Sequence, residues 1–343
     1  MKSLMKVLCV MSLVMLMCIT AYAGGGNRIG TAGATELLVP FGARDIAMGG
    51  STVATTSGLD ALFWNPAGLT KSASGANVTF SHMSYIADIG VEYGAVSASF
   101  EGFGTLALNM KALSVGDIPV TTTANPDGTG ETFSPQFFVA GFTFARQLND
   151  RIAVGITSNL ITERMSEVSA SGVSFSVGLT YDNLADMKGL SLGVVMKNIG
   201  PQMKYDGSAL YRLGSVADQN RGNSYVKIDA ASFELPSTLE FGLGFRPAMS
   251  GENSLLVSTT FQNNNFSGDE YKVGAEYGYN NMFFVRGGYS LSPKSQDDDY
   301  LYGLTLGAGI NYQMETTTVS FNYAYRAVKY FDGNHVVAIS FGF

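Results

Sequence analysis

The stretch HVVAISFGF, residues 335–343, ends the sequence in the middle of what reads as a strand. Val337, Ile339, Phe341 and Phe343 are large and apolar, while Ala338, Ser340 and Gly342 between them are small. A period of two places the large set on one face and the small set on the other. In a soluble sheet such a strand would leave an apolar, unpaired edge, which invites aggregation. The pattern predicts either a covered edge or a sheet without edges.

Working back from this strand, the chain alternates in the same way from Ala76 onward. The segments are 76–85, 90–101, 104–115, 136–149, 151–162, 172–182, 189–199, 237–247, 253–262, 270–279, 283–290, 300–312, 316–327 and 334–343, fourteen in all. Most are about ten residues long, the length a tilted strand needs to cross a bilayer. In YLYGLTLGAGINY (300–312) the even positions Tyr300, Tyr302, Leu304, Leu306, Ala308, Ile310 and Tyr312 are all apolar. Aromatics at the ends of an aliphatic row predict a lipid-facing surface with its interfacial girdles. The 41 glycines, 17 tyrosines and 22 phenylalanines fit many short strands joined by tight turns.

A β-sandwich is the competing architecture, and the connections separate the two. Numbered from a periplasmic start, the even connections are short: 102–103, 150, 183–188, 248–252, 280–282 and 313–315. The odd ones include 116–135, 163–171, 200–236 and 291–299. Short inner turns and long outer loops are the habit of outer-membrane barrels, and a sandwich has no reason to show them. The fold class expected is all-β: a 14-stranded antiparallel transmembrane β-barrel over residues 76–343. Residues 335–343 then pair back onto the first strand and abolish the edge. A terminal aromatic on that strand resembles the signal read by barrel-assembly machinery.

The first residues read as an export signal. Lys2 and Lys6 form a positive start, Val7 to Thr20 is apolar, and Ala21-Tyr22-Ala23 is a small-residue cleavage site. A retained anchor would need a longer apolar run, and Met17 is too large for a lipoprotein reading of Cys18. Both cysteines, Cys9 and Cys18, fall within 1–23, so the exported chain would have no disulfide. Loss of Lys2 and Lys6 makes the formal net charge of −7 more negative by two. An acidic exported chain without a basic block is not built for nucleic acid.

Residues 24–75 do not alternate. They contain GARDIAMGGSTVATTSGLDALFWNPAGL (42–69), with the only tryptophan of the chain, Trp64. Pro66 disfavours helix at Asn65, so Trp64-Asn65-Pro66-Ala67-Gly68 reads as a turn rather than a crossing strand. The segment is either a periplasmic extension or, on the sharper reading, an N-terminal plug in the lumen of the barrel.

GARDIAMGG followed by LDALFWNPAGL resembles the N-terminal signature of the PorV/PorQ family. That family is itself similar to the long-chain fatty-acid transporters of the outer membrane, which share an Asn-Pro-Ala motif in a lumenal hatch. The likeness runs through roughly 39–343, including FSHMSYIADIGVEYG (80–94), DGTGETFS (127–134), residues 150–181, NIGPQM (198–203), VGAEYGYNN (273–281) and VRGGY (285–289). Asn159, Ser176 and Gln262 depart from it, standing where lysine, aspartate and aspartate are frequent. The resemblance implies a fourteen-stranded outer-membrane barrel that takes part in type IX protein secretion. Its partners would be membrane lipid and a translocon or cargo protein met by the outer loops. The alternative it carries is a transporter or channel for hydrophobic small molecules, and a purely structural barrel is a third reading.

The residues themselves point away from catalysis and cofactors. His82 beside Ser81 or Ser84 would need a third group to orient it, and adjacent strand residues face opposite ways. Two histidines and no exported cysteine do not make a transition-metal cage. Asp297-Asp298-Asp299 reads as a solvated acidic loop rather than a calcium site, and NPDGTGE (125–131) lacks the ligand spacing of an EF-hand. Two constellations remain. If Asn280-Asn281-Met282 is a hairpin turn, Glu276 and Arg286 stand opposite each other and form an ion pair in the lumen, bracing wall or plug. In the longest outer connection, Tyr205, Tyr211, Tyr225 and Phe233 lie among charges, as in a protein-contact surface.

Overall fold

A computed structural model describes residues 30, 32–214, 223–293 and 300–343. The expected export signal and Asp297-Asp298-Asp299 lie outside the described residues. Fourteen long strands form the wall: β1 (Ala76–Ser84), β2 (Gly90–Phe100), β3 (Gly104–Ser114), β4 (Gln136–Gln147), β5 (Ile152–Met165), β6 (Val168–Asp182), β7 (Leu190–Ile199), β8 (Thr238–Phe245), β9 (Asn253–Asn264), β10 (Glu270–Tyr279), β11 (Phe283–Leu291), β12 (Tyr302–Gln313), β13 (Thr318–Val328) and β14 (Asn334–Gly342). Each pairs antiparallel with its neighbours in sequence. The ring closes where β14 meets β1, in a register running from Asn77↔Gly342 to Ser84↔His335. Phe343 N donates to Ala76 O at 2.9 Å, and Ala76 N donates to Phe343 O at 3.2 Å. Every wall strand thus has two partners, and the alternating last segment of the sequence is the closing stave.

The pleat sorts residues as a bilayer requires. Phe80, Leu108, Phe142, Leu160, Val285, Leu306 and Phe321 are exposed on the outside, whereas Thr79, Asn109, Thr157, Thr260 and Glu276 are buried inside. Apolar-out, polar-in is the reverse of a soluble sandwich, because the outer face meets acyl chains and the inner face meets a polar interior. The long connections 115–135 and 200–237 lie at one end. The turns 101–103, 148–151, 280–282 and 314–317 lie at the other. By this asymmetry the long-loop end faces outward.

Two expectations need correction. The connection expected at 163–171 is only Ser166-Glu167, because β5 runs to Met165 and β6 starts at Val168. Glu163 pairs with Ala170, and both face inward, buried against the polypeptide inside the barrel, so the strands continue past the usual span. The outer aromatic girdle of β12 is also displaced. Tyr302 pairs with Val328 but Thr305 with Arg326, which places one extra residue on β12. A bulge of this kind re-aims the residues beyond it. Tyr300 and Tyr302 therefore turn into the lumen, while Leu304, Leu306, Ile310 and Tyr312 stay exposed outside.

Residues 32–71 fill the lumen as a plug of short helical pieces. It enters at the outer end, where Ala32 bridges Glu234 and Gly33 N donates to Glu234 O at 3.0 Å. It descends through α1 (Ala43–Ala47) and α2 (Ala61–Trp64) and leaves at the turn end through a 3-10 turn, Pro66–Lys71, leading to β1.

Candidate functional site

The plug is held by its backbone as much as by its side chains. Lys111, on β3 and buried, donates to the carbonyls of Glu36 and Val39 at 2.6 and 2.8 Å. Thr305 donates to Ala47 O at 2.9 Å, and the hydroxyls of Ser51 and Ser258 meet at 2.7 Å. A plug with little regular structure leaves backbone carbonyls unpaired, and polar wall residues answer that demand. Wall glycines let it come close. A Cβ at Gly178 would fall onto Asn65 Oδ1, and one at Gly288 onto the backbone at Met48 and Gly49.

The Trp64–Gly68 motif sits at the centre of this packing. Asn65 is extended (φ −161°), and its Oδ1 accepts from Ala67 N at 3.1 Å, capping the turn that Pro66 begins. Its Nδ2 donates to Val53 O at 2.8 Å within the plug and to Leu179 O at 3.1 Å on the wall. One side chain thereby ties three segments together. Ala67 is fully buried, and Gly68 lies where a Cβ would strike Thr56 O. Trp64 donates from Nε1 to Phe41 O at 3.1 Å and packs edge-on against Phe63, with ring centroids 4.9 Å apart.

Glu276 and Arg286 stand in register across β10 and β11, and Arg286 Nε donates to Glu276 Oε2 at 2.6 Å. Asn280 and Asn281 both take positive φ in the turn beyond them, as a tight hairpin requires. A third charge, absent from the sequence reading, joins this pair. Arg44 on α1 donates from Nε and Nη2 to Glu276 Oε2 and Oε1 at 2.9 and 3.0 Å. Arg286 Nη1 donates to Asn322 on β13 at 2.7 Å, while Asp45 approaches Arg44 at 3.2 Å and accepts from Thr56 at 2.5 Å. One carboxylate therefore receives two guanidiniums, one from the plug and one from the wall, in the two-pronged geometry that makes such pairs strong. The signal for Arg44 was present: it lies inside GARDIAMGG, in a segment assigned to the lumen, where a charge calls for a partner.

The four outer-loop aromatics separate into two pairs. Tyr205 and Phe233 turn inward, with ring centroids 5.5 Å apart, and pack on the cluster of Ala34, Leu37, Met203 and Leu235. Tyr205 OH donates to Glu163. Tyr211 and Tyr225 lie on a small hairpin, Tyr211–Gly214 paired with Ser224–Lys227, and both are exposed, Tyr225 by 77%. Leu213, Val226 and Ile228 are exposed there too. At the base of the hairpin Lys227 donates to Asp206 at 2.7 Å and holds its carboxyl below the usual range.

Other candidate residues are not brought together. His82 Nδ1 lies 2.6 Å from Glu92 on the exposed side of β1, whereas Ser81 faces inward. His335 Nδ1 meets Tyr323 OH at 2.8 Å. Ser176 accepts from Asn198 N at 3.2 Å, Asn159 donates to Ser174 at 3.3 Å, and Gln262 accepts from Lys272, all as local wall bonds. Among the described residues no group of three or more His, Cys, Asp or Glu is placed to hold a metal ion.

Beside the plug lies a cavity of about 320 Å³ towards the outer end of the lumen. Its wall carries Lys197, Glu240, Glu270, Lys272 and Arg326, and its plug side carries Leu38, Pro40, Ile46 and Trp64. Sequence reasoning passed over these charges. Their signal is a charged residue at an inward position within an alternating strand.

The architecture has solved counterparts. The CymD monoaromatic hydrocarbon channel superposes with a TM-score of 0.55 at 17% identity, over 89% of this chain and 97% of that one. The Pseudomonas putida toluene transporter TodX does so with a TM-score of 0.56 at 13% identity, over 89% and 99%. At such identities the likeness concerns the fold. A search of curated proteins finds no significant sequence match. The family model described as type IX secretion system protein PorV matches residues 23–217, more than half of the chain and the whole of the plug with its Trp64–Gly68 motif. With that match over a plugged, closed, lipid-faced cylinder, the chain belongs to the PorV family and is an outer-membrane β-barrel.

Proposed function

We propose that this barrel serves type IX protein secretion by presenting its outer hairpin to an exported cargo protein or to the translocon. The observation that carries this reading is the hairpin itself. It places Tyr211, Leu213, Tyr225, Val226 and Ile228 in the open on the longest outer connection, on a base braced by Lys227 and Asp206. Exposed clusters of large apolar and aromatic side chains mark contact surfaces. Membership of the PorV family names the process. The plug supports it as well, since a lumen crossed by residues 32–71 leaves the loops, not an open pore, as the working surface. Outer-membrane lipid is the partner of the apolar girth.

A channel for hydrophobic molecules, the role in the names of CymD and TodX, is the second reading, and the cavity beside the plug is its support. Five charged side chains on the wall of that cavity weigh against a purely apolar cargo. The test is the double variant Leu213→Ser/Tyr225→Ser, with deletion of 206–232 as the stronger form. Each should leave a heat-modifiable barrel of low conductance and abolish co-purification of secreted proteins. Loss of uptake of a hydrophobic compound with secretion intact would decide for the channel.

A further inference from the structure

Among the described residues, the cavity beside the plug contains one charge without a counter-charge. Lys197 Nζ pairs with Glu240 Oε1 at 2.5 Å, and Lys272 Nζ pairs with Glu270 Oε2 at 3.2 Å. Arg326 has no such partner among the described residues. Its guanidinium carbon lies 3.9 Å over the ring of Tyr302, and its Nε and Nη2 are shielded from water without a hydrogen bond. A guanidinium cannot shed its proton to escape this position, and although the residue is only half-buried, two donors shielded from water without a partner are costly. Stacking on an aromatic ring offsets part of that cost and leaves the donor edge free. The hydroxyls of Tyr302 and Tyr85 meet at 2.8 Å beside it, which fixes the ring that carries the stack.

The rest of the cavity describes the body of a ligand. On the plug side of the cavity, Leu38, Pro40, Ile46 and Trp64 offer an apolar surface. The volume of about 320 Å³ is at the small end of ligand sites. We propose that this cavity binds a small organic monoanion, its carboxylate received two-pronged by Arg326 and its aryl-sized apolar body laid against the plug. A neutral hydrocarbon would fill the volume and leave Arg326 unanswered. The site is separate from the outer hairpin and does not depend on the secretion reading.

Trp64 lines the cavity and is the only tryptophan of the chain, so its emission reports occupancy directly. The full exported chain in detergent micelles would be titrated with benzoate, phenyl phosphate and toluene. Benzoate should change Trp64 emission saturably, at concentrations at least tenfold below those needed for toluene. Arg326→Gln should weaken benzoate at least tenfold and leave toluene unchanged, with the barrel still heat-modifiable. Arg326→Lys, which keeps the charge and loses the fork, should fall between wild type and Arg326→Gln and serves if the glutamine variant does not fold. Equal response to benzoate and toluene, or no response to benzoate, would overturn the proposal. So would an Arg326→Gln protein that binds benzoate as the wild type does. Tighter binding of phenyl phosphate than of benzoate would overturn the carboxylate assignment.

Discussion

Replacing Glu276 by glutamine should unseat the plug. Glu276 accepts from Arg44 at 2.9 and 3.0 Å and from Arg286 at 2.6 Å, so one substitution removes the negative charge shared by two guanidiniums. Breaking a buried ion pair from one side costs about 3–5 kcal/mol, because the stranded cation remains. The Arg44 side chain keeps 16% of its exposure, and water there screens part of the loss. The lower end, about 3 kcal/mol, is therefore the expectation. At about 1.4 kcal/mol per tenfold, the ratio of unseated to seated plug should rise roughly a hundredfold. Planar-bilayer recording reads this as long openings that are rare in the wild type and frequent in Glu276→Gln. Arg44→Met combined with Glu276→Gln should be less disturbed than the sum of the two, because the double variant strands one cation fewer. Wild-type conductance in Glu276→Gln, together with strict additivity in the double variant, would refute the assignment of this cluster as the clamp between plug and wall.

Four further outcomes follow from the same geometry. Gly178→Val should displace Asn65 from the wall and raise conductance in bilayers, since any Cβ there collides with Asn65 Oδ1; unchanged conductance would contradict the close approach. Asn65→Ala should lower the melting temperature of the assembled barrel, with a cost of about 1–3 kcal/mol for unsatisfied buried groups at Val53, Ala67 and Leu179. Deletion of 335–343 should abolish membrane insertion and lead to periplasmic degradation, because β1 and β13 would face lipid unpaired; heat-modifiable protein in the membrane would count against closure. Single cysteines at Asn125 and Ser208 should react with an impermeant thiol reagent on intact cells and one at Asn280 should not, and the reverse pattern would invert the orientation.

Where the sequence spoke plainly, it did so through local periodicity. All fourteen strands were legible from Ala76 onward because alternation is a property of neighbours, and a bilayer demands it on every stave. The closing role of 335–343 followed from the same pattern. The Glu276 and Arg286 positions were legible because a two-stranded turn sets the register across it, within ten residues. Asn65-Pro66 announced a turn through the restriction that proline places on its neighbour.

Contacts made across the barrel were decided by tertiary structure alone. Arg44 meets Glu276 across 232 residues of sequence, and no local period encodes such a pairing. The bulge between Tyr302 and Thr305 reverses which face the outer tyrosines occupy, a one-residue slip that alternation by itself does not reveal. Of the four loop aromatics, composition treated all alike. Tyr205 and Phe233 were taken inward by the plug beneath them, while Tyr211 and Tyr225 remained outside on a hairpin that nothing among the described residues covers. A side chain in a loop takes its direction from what lies under it, and that neighbour comes from a distant part of the chain.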